Sequence, residues 1–468
     1  MFGTQVRRIC LAWCAVIPLG TAPLGAAPPA RPYTVENYDV SVRADLANQR
    51  LYGEVSIRLH GLADTPISAL ELDAGGLEIS SVTEGQISQP FERDHSKFVV
   101  VLTNPLRLDE QRTITVRYQA GPAPGLKFFS DQIYTLGAGD WMPCNDRPGE
   151  RATLHLTITA PVDPKVDIKV AASGQLTATR TAEGQNITEW QLDSPAEPFW
   201  FGFALGSFTE NTSEAEGVKL RVLGADKQIL ELTAPTMRYL AERTGKHYPG
   251  MTYTQVFTHG DAVHSMAGLT LLPESYAQGL AKQPEDLQLL AREMAHQWYG
   301  IGIDVKDWSD LWLSEGISAF LADSFLERRF GKVRYRREIQ RSRQIFNQLH
   351  AEGTDRQLSG AEWTTRQEAD GEIPEHKGAW FLYLVTQLVG DNAFWNGLRL
   401  YTSEQWGHAA ASEDLQRAFD AVSTGDRSAG KKGGGTSGRK QKSAKNAATP
   451  LDNLFDLWVY GIASTTSR

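Results

Sequence analysis

Along the chain, the spacing of apolar positions changes character twice. Between residues 32 and 208, six segments are rich in β-branched and aromatic residues with partial alternation: "YTVENYDVSVRADL", "LYGEVSIRLHG", "KFVVVLTNPL", "RTITVRYQA", "ATLHLTITAP" and "FWFGFALGSF". Gly, Pro, Asn and Asp separate them, so the pattern predicts an all-β N-terminal domain of packed sheets. From Thr209 the period lengthens. In "ILELTAPTMRYLAERTGKHYPG", Leu230, Leu232, Met237, Leu240 and Ala241 recur at helical spacing up to a stop at Gly250. After one strand-like segment, "TYTQVFTH", helices are expected to dominate through Val422, which makes the whole an α+β, multidomain chain.

The second break runs from Ser423 to Pro450. It has no apolar period, is rich in Gly and Ser, and carries seven Lys or Arg against one Asp. Such a segment buries too little to offset the entropy of ordering. It reads as a solvated insertion, in preference to an attachment point for an acidic surface or anionic lipid. "LDNLFDLWVYGIAS" then places Leu451, Leu454, Phe455 and Trp458 on one helical face, so residues 451–468 return to the body as a last helix and tail.

Residues 1–30 stand apart from the fold. Arg7 and Arg8 precede "ICLAWCAVIPLGTAPLGAA", an apolar run ending in small residues and prolines, the layout of a secretory signal peptide. A membrane anchor fits less well, because Pro18, Gly20 and Pro23 interrupt the run. The expected location is therefore outside the cytoplasm, periplasmic or extracellular, with no stable membrane span in the mature chain. Cys10 and Cys14 leave with this segment. Cys144 then remains without an internal disulfide partner, and it reads as a space-filling core residue.

The 468 residues allow two or three domains, and the formal net charge of −9 gives no broad basic footprint, which argues against a nucleic-acid partner.

The chemistry concentrates in "LLAREMAHQWYG". Pro284 is expected in the first turn of its helix, with Glu285 and Asp286 near the positive end of the dipole. Leu287, Leu290, Ala291, Met294, Ala295 and Trp298 form an apolar face, and Arg292, Glu293 and His296 lie together on another. Glu315 follows in "DWSDLWLSEGISAFLADSF", also helical by its spacing. Two imidazoles one turn apart, with a carboxylate from a second helix, give zinc three protein ligands and leave a fourth position for water. A glutamate beside the first ligand takes that water's proton. Here the first imidazole is written as arginine.

"AHQWYG" and "WSDLWLSEGISAFL" resemble the metal-site helices of the gluzincin zinc aminopeptidases, the group of membrane alanyl aminopeptidases and leukotriene hydrolases. "WMPCNDRPGERATLHLTI", "HKGAWFLYLVTQLVGDNAFWNGLRLY" and "LFDLWVYG" extend the resemblance from Tyr33 to Gly461, apart from the Ser423–Pro450 insertion. It implies a saddle-like β domain followed by a thermolysin-like, mostly α-helical domain. The family's usual C-terminal domains have no counterpart here. By resemblance, Glu293 is the general base, and His296 and Glu315 are zinc ligands. Arg292 takes the first histidine's place. Ala267, anchored by Met266 in "AVHSMAGL", stands where a glutamate grips the substrate amine. Glu375, in "PEHKGAW", stands where a tyrosine stabilises the oxyanion.

Arginine offers no lone pair. A unit charge at about 4 Å interacts with another by roughly 4 kcal/mol at an effective dielectric of 20, so a guanidinium beside Zn²⁺ loses roughly twice that. Structural zinc binding is worth roughly 10–16 kcal/mol with a full ligand set. Losing one ligand and adding this repulsion consumes most of it. Arg292 is instead expected to bridge Glu293 and Glu315 in fork geometry.

Two readings follow. One is a non-catalytic homologue, zinc-free, whose cleft binds peptide or protein N-termini. The other is an active zinc metallopeptidase in which His264 or His376 joins His296 and Glu315 as third ligand. A glycosidase-like pairing of Glu293 with Glu375 is set aside on the strength of the resemblance, and Asp310 reads as a structural hydrogen-bonder.

Overall fold

In the first long strand, Tyr33–Asp45, Tyr38, Val40, Val42 and Ala44 alternate with more exposed neighbours, and all four are buried. That period of two sets which face meets the core. The strand pairs antiparallel with Arg50–Gly61 and parallel with Ala152–Pro161, at the centre of an eight-stranded sheet. A three-stranded sheet (Ile67–Asp73, Lys97–Leu106, Phe91–Asp94) and a four-stranded sheet that includes Phe203–Gly206 complete this β region. Trp141, Phe98, Phe201 and Phe203 are fully buried between the layers. Cys144 is buried among them, and its backbone pairs with that of Asp73. The structure, a computed structural model, describes residues 32–461 apart from 95–96, 163–164, 361–362, 364–365 and 430–447. The expected signal peptide and most of the basic insertion lie outside the described residues.

Past residue 208, one expectation needs correcting. Instead of a single strand, "TYTQVFTH" joins a five-stranded sheet ordered Glu210–Ala215, Val218–Leu223, Thr252–Thr258, Leu269–Pro273 and His264–Met266. These strands are short, and Thr252–Thr258 and Leu269–Pro273 are covered on both faces, so they lack the alternation that marks a half-buried strand.

Ten helices are described. α1 (Gln228–Thr244) and α2 (Glu274–Lys282) flank this sheet. α3 (Gln288–Ala295), α4 (Trp312–Phe330) and α5 (Lys332–Ala351) follow. α6 (Arg366–Ala369) precedes α7 (Gly378–Val389), α8 (Asp391–Gln405), α9 (Ser412–Ala429) and α10 (Pro450–Trp458). α1 stops at Gly245, whose left-handed φ of 73° caps it, rather than at Gly250. α3 starts at Gln288, so Pro284, Glu285 and Asp286 lie in the turn before it. α9 runs to Ala429, past the Ser423 where the apolar period gives out. Among the described residues, no helix is long and apolar enough to cross a membrane.

Two features of this packing position the site. Gly316 on α4 faces Gly378 at the start of α7, and a Cβ on Gly316 would sit 2.8 Å from the Cα of Gly378. The two backbones therefore touch. Asp310, just before α4, accepts hydrogen bonds from the backbone N–H of Ser412 (2.9 Å) and the hydroxyls of Ser412 (2.6 Å) and Ser359 (3.1 Å), which fastens the start of α4 to α9.

Candidate functional site

Five elements converge on one buried polar cluster. α3 presents Arg292 and Glu293 one residue apart, and the turn after it presents His296. The first turn of α4 brings Glu315. A π-helical turn, Ile373–Lys377, brings Glu375, and α6 brings Arg366. The edge strand His264–Met266 lies alongside, held to the β region by the Ala267 N–H donating to the Trp200 carbonyl (2.9 Å).

Arg292 lies at the centre of the ion pairing. Its Nη2 donates to Glu293 Oε1 at 2.9 Å and its Nη1 to Glu375 Oε2. The expected bridge to Glu315 is not made. Glu375, on the π-helical turn, reaches the guanidinium first, and Glu315 is engaged elsewhere: its Oε2 is 3.5 Å from His296 Nε2 and its Oε1 3.5 Å from Arg366 Nη2. Each glutamate of the resemblance thus has its own arginine. Among the described residues, Arg292 and Arg366 supply the permanent positive charge paired with these carboxylates.

The electrostatics agree with this pairing. Burial opposes the charge on Arg292, yet Glu293, Glu375 and Glu315 outweigh it and raise its pKa. Burial likewise pushes Glu293 upward, but Arg292, His296 and the Ser265 hydroxyl, 2.9 Å from Oε2, hold it below the usual glutamate range. Glu315 goes the other way: burial dominates and raises it, with His296 and Arg366 compensating in part.

His296 turns Nδ1 toward the Tyr299 carbonyl (3.2 Å) and the hydroxyls of Ser314 (3.2 Å) and Ser318 (3.3 Å). Its Nε2 consequently faces Glu315. His264 packs edge-on against Phe199 with ring centroids 4.8 Å apart, and among the described residues its buried Nε2 has no hydrogen-bond partner. Burial, with the nearby Arg366 charge, lowers its pKa to about 4. His376 is engaged at Nδ1 with Ser342 Oγ (3.2 Å), and its Nε2 stands 4.0 Å from Glu375. Neither histidine is brought into a ligand set with His296 and Glu315. Among the described residues, no group of three or more His, Cys, Asp or Glu side chains is arranged to hold a metal ion. The donor set as it stands, one imidazole and one carboxylate already in contact, does not fit a three-ligand zinc site.

Sequence reasoning missed Arg366 and Phe199. The Arg366 guanidinium lies 3.4 Å from the Phe199 ring centroid and 5.2 Å from that of Trp200. Around Arg366 no apolar period marks a helix. "FWFGFALGSF" misled because Pro198–Trp200 is a 3₁₀ turn and the strand begins only at Phe203.

With this geometry in hand, two family models match the chain: the peptidase M1 N-terminal domain over residues 34–196 and the peptidase family M1 domain over residues 230–430. The chain belongs to peptidase family M1. Among curated relatives of this M1 chain, leucine aminopeptidase 2 of Aspergillus niger is 21% identical over 78% of the chain and 65% of its own length. Human aminopeptidase N is 24% identical over 41% of the chain and 21% of its own length. The M1 chain thus spans under two thirds of the length of either relative. An M1 zinc metallopeptidase from Deinococcus radiodurans superposes with a TM-score of 0.73 at 21% identity, over 92% of this chain and 94% of that one. A two-domain M1 zinc metallopeptidase variant solved with L-tryptophan gives 0.72 at 21% identity, over 94% and 97%. A β-rich domain followed by a helical catalytic-type domain is therefore the M1 arrangement here as well.

The seam beside the M1 site carries a second group of acids. Asp146 is raised to about 7 by burial and by Asp73, against the pull of Arg366. Asp304 is raised to about 6 by burial despite Arg151, and Glu197 is raised by burial and by Asp304. Groups with a folded pKa above the unfolded carboxylate value near 4 bind more protons in the fold. Their contribution is complete below about pH 4 and is lost as pH rises toward 7. Asp146→Asn should therefore flatten the fall in melting temperature between pH 5 and pH 8, by the equivalent of about 1–2 kcal/mol for this partly exposed group. An unchanged slope in the variant would show that Asp146 ionises normally.

Proposed function

We propose that this M1 chain is a non-catalytic homologue whose cleft is a recognition site for peptide or protein N-termini. One observation carries the reading: the permanently charged Arg292 occupies the seat of the first metal-ligand histidine and is held there by Glu293 and Glu375. The base and the residue at the oxyanion position are thereby consumed in ion pairs, and Glu315, a ligand by resemblance, is paired separately with Arg366. Ala267, 2% exposed and backbone-bonded to Trp200, offers no carboxylate for gripping an amine. The cluster itself supplies a substitute. Glu293, Glu315 and Glu375 outnumber Arg292 and Arg366 by one charge, which favours an ammonium group in the cleft. Export through residues 1–30 is part of the same proposal.

Metal analysis of the purified mature protein should find zinc far below one per chain, and aminoacyl or peptide substrates should not be hydrolysed. Acetylating the amine of a bound peptide should weaken it about tenfold or more, the worth of a charge-assisted hydrogen bond. Near-stoichiometric zinc in the wild-type protein would overturn the proposal.

The second reading, an active zinc metallopeptidase with a rebuilt ligand set, has one observation in its favour: the unpartnered Nε2 of buried His264. It requires chelator-sensitive hydrolysis that Glu293→Gln abolishes.

A further inference from the structure

Outside the ion-paired cluster, residues 328–343 carry eight Lys or Arg and one acid, Glu338, in a chain of net charge −9. α5 sorts them by face. Its inner side is acidic or apolar: Glu338, Ile339, Ser342 and Phe346 are buried, with Glu338 closed off by a 2.8 Å pair to Arg334. Ser342 meets His376, so this side packs on the π-helical turn that carries Glu375. The outer side repeats at helical spacing as Lys332, Val333, Arg336, Arg337, Gln340 and Arg341, all exposed. It contains no acid. Among the described residues, Lys332, Arg336 and Arg337 form no ion pair, whereas Arg328, on the preceding turn, is partly neutralised by Glu242 at 3.7 Å.

Two large apolar side chains lie within this basic field. Val333 is 75% exposed and Phe330 38% exposed, with Arg329 over the Phe330 ring at 5.6 Å. Isolated exposed apolar residues need no explanation. Here, though, the two flank a glycine turn, with Lys332 between them and Arg329, Arg336 and Arg337 close in sequence. A charged surface of one sign needs an opposite partner to gain from it. A phosphodiester polymer would reward the arginines and leave Val333 and Phe330 in water. An anionic bilayer rewards both, because cations meet headgroups while short apolar side chains enter the acyl boundary.

We propose that the outer face of α5 and the turn before it dock on an anionic lipid surface. The helix lies in the interfacial plane, and Phe330 and Val333 point into it. Because the opposite side of α5 packs on the turn bearing Glu375, docking sets the orientation of the cleft relative to the bilayer.

The test is co-sedimentation of the full-length mature protein with vesicles of pure phosphatidylcholine and with vesicles containing phosphatidylglycerol. Binding is expected only to the latter and should weaken steeply with salt. Arg336→Gln/Arg337→Gln should lower the partition coefficient roughly twenty- to thirtyfold, each basic residue near such a surface contributing about fivefold. Val333→Ser should lower it severalfold without changing the salt dependence. All three positions are exposed, so melting temperatures should match the wild type. Equal binding to both vesicle types, or full binding by the double arginine variant, would overturn the proposal. So would competition by duplex DNA combined with an unaffected Val333→Ser, which would assign the surface to a polyphosphate partner.

Discussion

Arg292→Met is expected to destabilise the protein by about 3–5 kcal/mol, the cost of leaving buried carboxylates without their cation. Glu293 is 4% exposed and its hydrogen bonds are to Arg292 and Ser265. With the guanidinium gone, Glu293 and Glu375 face each other across a site that already holds Glu315. At least one of the three must then take up a proton, which shifts the cost to neutral and alkaline pH. The midpoint of denaturant unfolding at pH 7 measures the loss. Adding Glu375→Gln to the same chain should recover part of it, because an amide keeps the shape and removes one charge. An Arg292→Met variant within about 1 kcal/mol of wild type would mean that the pairing is incidental, in the range of surface ion pairs. The pair therefore distinguishes a structural ion cluster from two charges that happen to lie close together.

The second large effect concerns metal. On the proposed reading, Arg292→His should take up one zinc per chain, with an affinity gain over the wild type on the order of a thousandfold or more, since a repulsive cation becomes a ligand. His296 is already oriented for this. Its Nδ1 is satisfied by Tyr299, Ser314 and Ser318, and Nε2 points to Glu315. Arg366 remains a competitor for Glu315, so Arg292→His/Arg366→Gln should bind more tightly still. Equilibrium dialysis followed by elemental analysis reads both variants. If Arg292→His binds no more zinc than the wild type, the seat is not the one the M1 pattern indicates. Hydrolysis is a separate matter. Ala267 and Glu375 would still stand at the amine-gripping and oxyanion positions, so zinc uptake should exceed any recovery of activity.

Much of this was visible in the residues themselves. The Arg292–Glu293–His296 face follows from helical spacing, and Glu315 from a second helix with its own period. Where those side chains would turn was not legible. Spacing along α3 and α4 says that Arg292 is near two glutamates. It cannot weigh a third, Glu375, arriving on a π-helical turn 83 residues later. Arg366 was invisible for a related reason, because its contacts are aromatic rings from a 3₁₀ turn in the β region and a carboxylate on α4. Long-range pairings of this kind leave no local signature. The five-stranded sheet past residue 208 was missed because its most buried strands lack alternation, whereas Tyr33–Asp45, half exposed, declared itself.

The contact of Gly316 with Gly378 bears on how such a chain changes over time. With no side chain between them, α4 and α7 cannot slide or rotate past one another without a clash. The frame that holds Glu315 and Glu375 is therefore indifferent to whether an ion or a guanidinium fills the space it encloses. Exchanging the side chains at positions 267, 292 and 375 leaves that backbone contact untouched.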